Sequence, residues 1–220
     1  FDLSKMETGK IIFGWVPLIE NSLGEPISVP VMIARGNRPG PILGITSTIH
    51  GKWIDQKIDH LGDELNGIPL LHRLFAEEID VNVLNGTVCA VVVTNPPGYQ
   101  LHQRQFNDGQ DLNRIMPGNC KGTSAEKYAY ALLNKIIKQF NYLIDLHTAS
   151  RGRVNSLYVR VDANDEIALK MATLQNPQII LHVSEFTKNL TFLEYRRRSN
   201  TSCCSSKIRN QSNYSWNWKS

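Results

Sequence analysis

The sequence predicts an α/β domain built on a mixed, mostly parallel sheet flanked by helices. Three observations carry this prediction: Val- and Ile-rich runs of strand length, segments of helical period between them, and Pro/Gly punctuation at the junctions. Strands alternating with helices call for a sheet covered on both faces.

Each element follows in order. Residues 27–34 are rich in Val and Ile and read as a strand; Gly36, Pro39, Gly40 and Pro41 then turn the chain into a second apolar strand, 42–49, with His50 at its end. Residues 65–79 set Leu65, Ile68, Leu71, Leu74, Phe75 and Ile79 at helical spacing, the signature of an amphipathic helix. The strand-like stretch 81–94 stops at Asn95-Pro96-Pro97-Gly98, read as a loop because Pro97 lacks a donor and Gly98 tolerates positive φ. Residues 99–122 are polar and long for a structureless connection, which marks a functional loop. A helix over 124–140 follows, with Ser124 as its N-cap. Residues 142–146 form a buried-type strand ending at His147, and 156–161 another. Ligands of open α/β sheets bind beyond the carboxyl ends of the strands, where His50, Asn95 and His147 all fall.

Composition narrows the class. A chain of 220 residues suits one domain, and 41% hydrophobic with 20% charged residues is a globular balance rather than a disordered one. The net charge of +4 is concentrated late, in Arg196, Arg197, Arg198, Lys207, Arg209 and Lys219, and no Asp or Glu follows Glu194. The remainder is near neutral, so no nucleic-acid partner is expected. Apolar runs such as 88–93 are too short to span a bilayer, and Asp2, Lys5, Glu7 and Lys10 argue against a secretory leader. Cys89, Cys120, Cys203 and Cys204 show neither a CxxC pair nor a disulfide-scaffold spacing, which makes a reducing, cytoplasmic setting the expectation.

Three strings, in order, carry the chemistry. The first is Gly40-Pro41 leading through an apolar strand to Ile49-His50-Gly51. The second is Asn95-Pro96-Pro97-Gly98 with Asp111-Leu112-Asn113-Arg114-Ile115-Met116-Pro117-Gly118. The third is Asp145-Leu146-His147-Thr148-Ala149. Together they resemble the succinylglutamate desuccinylase/aspartoacylase family, relatives of the zinc carboxypeptidases. The resemblance implies a zinc carboxypeptidase-like fold and a Zn2+ held by a His and a Glu from an HxxE motif plus a distant His. Two neutral imidazoles and a carboxylate suit tetrahedral zinc with one position left for water. His50 and His147 fit the histidine roles. Asp145 either orients the site from behind a ligand or caps a turn at the strand end.

The resemblance further implies a small-molecule N-acyl amino acid as substrate, whose carboxylate calls for a guanidinium. Asn113 and Arg114 match the family's carboxylate-binding pair. Arg104, earlier in the same loop, is similar to the catalytic Arg that polarises the scissile carbonyl. His72 and His102 read as surface or satisfied histidines.

The chain departs from the pattern in two places. After His50 the family has Gly-Asp-Glu, whereas Trp53 stands here and Asp63-Glu64 comes only after residues 52–62. Glu64 is therefore the third metal ligand by identity, displaced by an insert; His60 is a weaker alternative to His50. Gly51-Lys52 and Leu61-Gly62 are encodable as GGT-AAA and TTA-GGA, the borders of a short retained intron whose removal restores His-Gly-Asp-Glu. The same reading at Val183-Ser184 and Leu193-Glu194 shifts the frame. Residues 1–182 are accordingly read as the zinc amidohydrolase-like catalytic domain with its insert. Residues 183–220 are read as an aberrant or disordered tail that leaves the fold incomplete, without the family's general-base Glu.

The expected function is zinc-dependent hydrolysis of the amide bond of an N-acyl amino acid, impaired in this chain by the split motif and missing base. Two alternatives stand beside it: a non-catalytic protein binding zinc or an anionic amino-acid derivative, and a zinc carboxypeptidase acting on peptides.

Overall fold

The computed structural model describes residues 1–50, 64–149 and 155–183, together with the backbone of 191–197. The insert 52–62, with Trp53 and His60, lies outside the described residues, as do 184–190 and 198–220.

Alternation along the central strands sets the layers. On β2 (Pro26–Arg35), Val31 and Ile33 enter one apolar cluster while Met32 and Ala34 enter another; on β4 (Asn85–Val91), Cys89 and Val91 separate in the same way from Val88 and Ala90. Successive side chains of a strand point to opposite faces, so this sheet buries both. One face is covered by α4 (Ser124–Lys135), which contributes Tyr128 and Leu132. The other is covered by α1 (Gly67–Arg73) and its continuation as a π-helical turn over Leu74–Glu78, through Leu71 and Phe75.

The described sheet has eight strands in the order β1-β2-β4-β3-β5-β8-β6-β7, completed by β1 (Lys10–Glu20), β3 (Arg38–Ser47), β5 (Tyr142–Thr148), β6 (Tyr158–Val161), β7 (Ile179–His182) and β8 (Thr191–Arg197). Strands β4, β3, β5 and β8 run parallel; β1–β2, β2–β4 and β6–β8 are antiparallel, and β6–β7 is parallel. The expected mixed, mostly parallel sheet with flanking helices is therefore the fold observed. β8 belongs to the segment 183–220 set apart as a tail, and its backbone pairs with β5 on one side and β6 on the other.

Several elements differ from the sequence reading. The tight turn 36–41 does not join neighbours, because β4 lies between β2 and β3. Gly40 and Gly86 permit this crossing: a Cβ on Gly40 would stand 2.7 Å from the Gly86 nitrogen. The N-cap of α4 is Thr123 rather than Ser124, since Thr123 and Glu126 exchange hydrogen bonds as a capping box. That helix stops at Lys135, and residues 137–139 tighten into a 3-10 turn. Asn95-Pro96-Pro97-Gly98 is no loop. It opens the short helix α2 (Pro96–Gln100), where proline suits the first turn and the Asn95 side chain accepts from the Gly98 N–H at 3.0 Å. Strand β1, with its interrupting Gly14 and Pro17, escaped the sequence pattern; as an edge strand it tolerates both. α3 (Leu112–Ile115) and α5 (Glu166–Leu174) complete the chain, Ala168 and Ala172 of α5 packing on Val159 and Val161 of β6.

Candidate metal centre

Three parallel strands deliver their carboxyl ends to one place. β3 runs out at Ser47 and leads to His50, β4 leads to Asn95, and β5 carries Asp145 and His147 two positions apart, hence on one face. Backbone bonds from Thr94 N to Ser47 O (2.9 Å) and Asn95 N to Thr48 O (3.2 Å) tie the first two ends together. Thr48 holds φ +56°, costly for a β-branched residue, and Glu64 holds φ +53°. Residues in this sparsely populated region cluster at functional sites. Gly67 brings the start of α1 against β3, since a Cβ there would meet Ser47 Oγ at 1.9 Å. That contact keeps Glu64, just ahead of the helix, at the strand ends.

The result is a buried polar cluster. His50, Glu64 and His147 are all at most 2% exposed, and their potential ligand atoms lie within 4.8 Å of one another. His147 Nδ1 is 2.7 Å from Glu64 Oε2, and its Nε2 is 2.6 Å from Asp145 Oδ2. Thr46 Oγ1 donates to the other Asp145 oxygen at 2.6 Å. Asp145 is thus the orienting partner behind His147 rather than a turn cap. Imidazole ligands of metals are commonly held by a carboxylate in this way.

Charge is distributed unequally over the two histidines. Burial pulls His50 down to about 4, and the nearby Arg104 and His147 charges act in the same direction, against Glu64 and Asp111. Burial also disfavours the charged form of His147, but the Asp145 charge and hydrogen bond, with Glu64, outweigh it and raise this group to about 10. One imidazole is neutral and the other is held as a cation between two carboxylates.

Arg104 reaches this cluster from the 99–122 loop. One guanidinium nitrogen is 2.9 Å from His50 Nε2, another is 3.8 Å from Glu64 Oε1, and Nε donates to Asp111 Oδ2 at 3.1 Å. Asn95 supports the loop through a 3.5 Å contact from its Nδ2 to the Arg104 carbonyl. Asp111, part of the Asp111-Leu112-Asn113-Arg114 string but without an expected role of its own, connects the site: it caps α3 through Asn113 N and stands 3.4 Å from His50 Nδ1. Asn113 and Arg114 are exposed, Arg114 at 83%, with its Nε 3.8 Å from Asp111. They lie at the rim, outside the buried cluster. His72 and His102 are exposed, as expected.

His50, Glu64 and His147 could hold a metal ion. Two imidazoles and a carboxylate form a suitable donor set, and His50 Nδ1 is a buried polar atom with no hydrogen-bond partner.

Comparison with known proteins bears on the fold and the family. The family model for the succinylglutamate desuccinylase/aspartoacylase catalytic domain matches residues 60–209, a stretch that includes Glu64, Arg104 and His147. The chain belongs to this family. An N-alpha-acetyl-L-2,4-diaminobutyric acid deacetylase of Halomonas elongata is 27% identical over 126 residues, which are 57% of this chain and 33% of the relative. Among solved structures, a succinylglutamate desuccinylase/aspartoacylase from Rhodobacter sphaeroides superposes with a TM-score of 0.72 at 20% identity, covering 90% of this chain and 60% of that one. An aspartoacylase family protein from Mesorhizobium loti gives 0.69 at 21%, covering 89% and 63%. A metallo-carboxypeptidase from Burkholderia cenocepacia gives 0.52 at 14%, covering 89% and 57%, so the carboxypeptidase-like fold extends to this family member. The chain spans a third of the curated relative and under two thirds of these solved relatives. No helix of its described residues is long and apolar enough to cross a membrane.

Proposed function

We propose that this family member is a zinc-dependent hydrolase of the amide bond of an N-acyl amino acid. The observation that carries the reading is the convergence of His50, Glu64 and His147 from separate segments, with an arginine beside them. Bound there, zinc supplies a Lewis acid that polarises a carbonyl and acidifies water. The chain's own residues do the rest. Asp145 holds the His147 ring in one orientation, with Thr46 fixing the carboxylate in turn. Arg104 presents N–H donors to an acyl oxygen where negative charge develops. Arg114 and Asn113, exposed at the mouth, meet the carboxylate of an incoming amino-acid derivative. Membership in a family with a deacetylase among its similar relatives supports an acylated amino acid over a peptide.

Zinc content and amine release from N-acetyl and N-succinyl amino acids, with a blocked dipeptide as control, test this reading. The expected result is zinc bound by the protein, lost in His147→Ala, and amine released from the acyl amino acids alone. A protein that takes up no zinc would overturn it. Zinc uptake without turnover would assign the chain to anionic-ligand binding instead.

A further inference from the structure

We infer that Arg104 is a latch on the metal centre, competing with the metal for His50 and released when the metal is bound. The inference rests on the metal-site reading above and extends it to how that site is loaded.

The argument begins with lone pairs. A guanidinium only donates, so the 2.9 Å contact between Arg104 and His50 Nε2 uses the lone pair of that nitrogen. With Nε2 accepting, a neutral His50 carries its proton on Nδ1, the atom 3.4 Å from Asp111. Ligation through Nε2 requires the same lone pair. Ligation through Nδ1 moves the proton to Nε2, which then faces a donor with a donor. Either way the contact between Arg104 and His50 and a metal bond to His50 exclude one another.

A second observation points the same way. The guanidinium also stands 3.8 Å from Glu64 Oε1, so one cation engages two of the three prospective ligands at once. Glu64 is 2% exposed and cannot rely on water to balance its charge. A divalent cation takes over that balance and repels the guanidinium. Arg104 has a place to go, because its Nε bond to Asp111 anchors it at the cluster's outer side and its side chain is already 31% exposed. Asp111, which also caps α3, thus serves as the pivot from which the arginine swings between His50 and the mouth.

Zinc affinity measured by chelator competition on the full chain, wild type against Arg104→Met, tests the latch. Removing a charged donor from the contested lone pair is expected to tighten binding about tenfold. Equal or weaker affinity in the variant, with the wild type binding zinc, would overturn the latch and leave the metal site standing. If neither protein binds zinc, both inferences fall. A measurement on the wild type alone guards against a misfolded variant: phenylglyoxal modification of Arg104, followed by peptide mass mapping, is expected to speed up when zinc is added. A rate unchanged or slowed by zinc counts against the latch.

Discussion

Replacing Asp145 by alanine probes a buried link of the centre. The carboxylate accepts from Thr46 Oγ1 and faces His147 Nε2, both at 2.6 Å, and the residue is 5% exposed. Asp145→Ala strands two buried polar groups, each costing about 1–3 kcal/mol when left unmet, so a loss of about 3 kcal/mol is expected near pH 6. For a chain of this size that lowers Tm by roughly 6–12 °C. The deficit has a defined pH dependence. His147 is raised in the fold from 6.5 to about 10: burial opposes the rise, and the Asp145 charge is the largest cause of it. A base whose folded pKa is raised adds stability that is fully present below its unfolded value and disappears as pH climbs through its folded value. The deficit of Asp145→Ala is therefore greatest below about pH 6.5 and shrinks toward pH 10, leaving only the Thr46 share. Urea unfolding of both proteins in chelator, at pH 6 and pH 10, measures the difference. A deficit that is constant or larger at the higher pH refutes the assignment of Asp145 as partner of a protonated His147. In zinc the same variant is expected to bind about 10–100-fold more weakly.

Gly44 of β3 lies under Phe140, and a Cβ there would come within 1.9 Å of the ring. Gly44→Ala is expected to lower stability by about 1–3 kcal/mol, read from the urea midpoint at unchanged slope. Cysteine reactivity divides by burial: Cys89, its thiol pushed up to about 12, resists alkylation at pH 8 in the folded protein, whereas exposed Cys120 labels readily, as peptide mass mapping checks.

How much of this was legible beforehand depends on whether the signal was local. The apolar runs ending at His50 and His147 were readable because strand composition and two-residue alternation are properties of contiguous sequence. The capping box at Thr123 was also written locally, in Thr123 and Glu126, but the adjacent Ser124 competed with it for the same role. β1 was hidden because an edge strand tolerates the Gly and Pro that argue against strands elsewhere. α2 was hidden because two prolines signal a loop and an N-terminal helical turn alike.

By itself the sequence determined the sheet class, the histidines at its strand ends and the family, and it singled out Glu64 as a candidate ligand. Only the tertiary structure decided that Glu64 meets His147 and His50 although residues 51–63 intervene, because such a meeting is a matter of distance that the packed chain alone sets. The structure also settled Asp145 as the partner of His147 and brought Asp111, Arg104 and His50 into one network. The contacts of Arg104 and Asp111 with His50 join residues held together by strand order and loop packing, for which no pattern of neighbouring residues is a substitute.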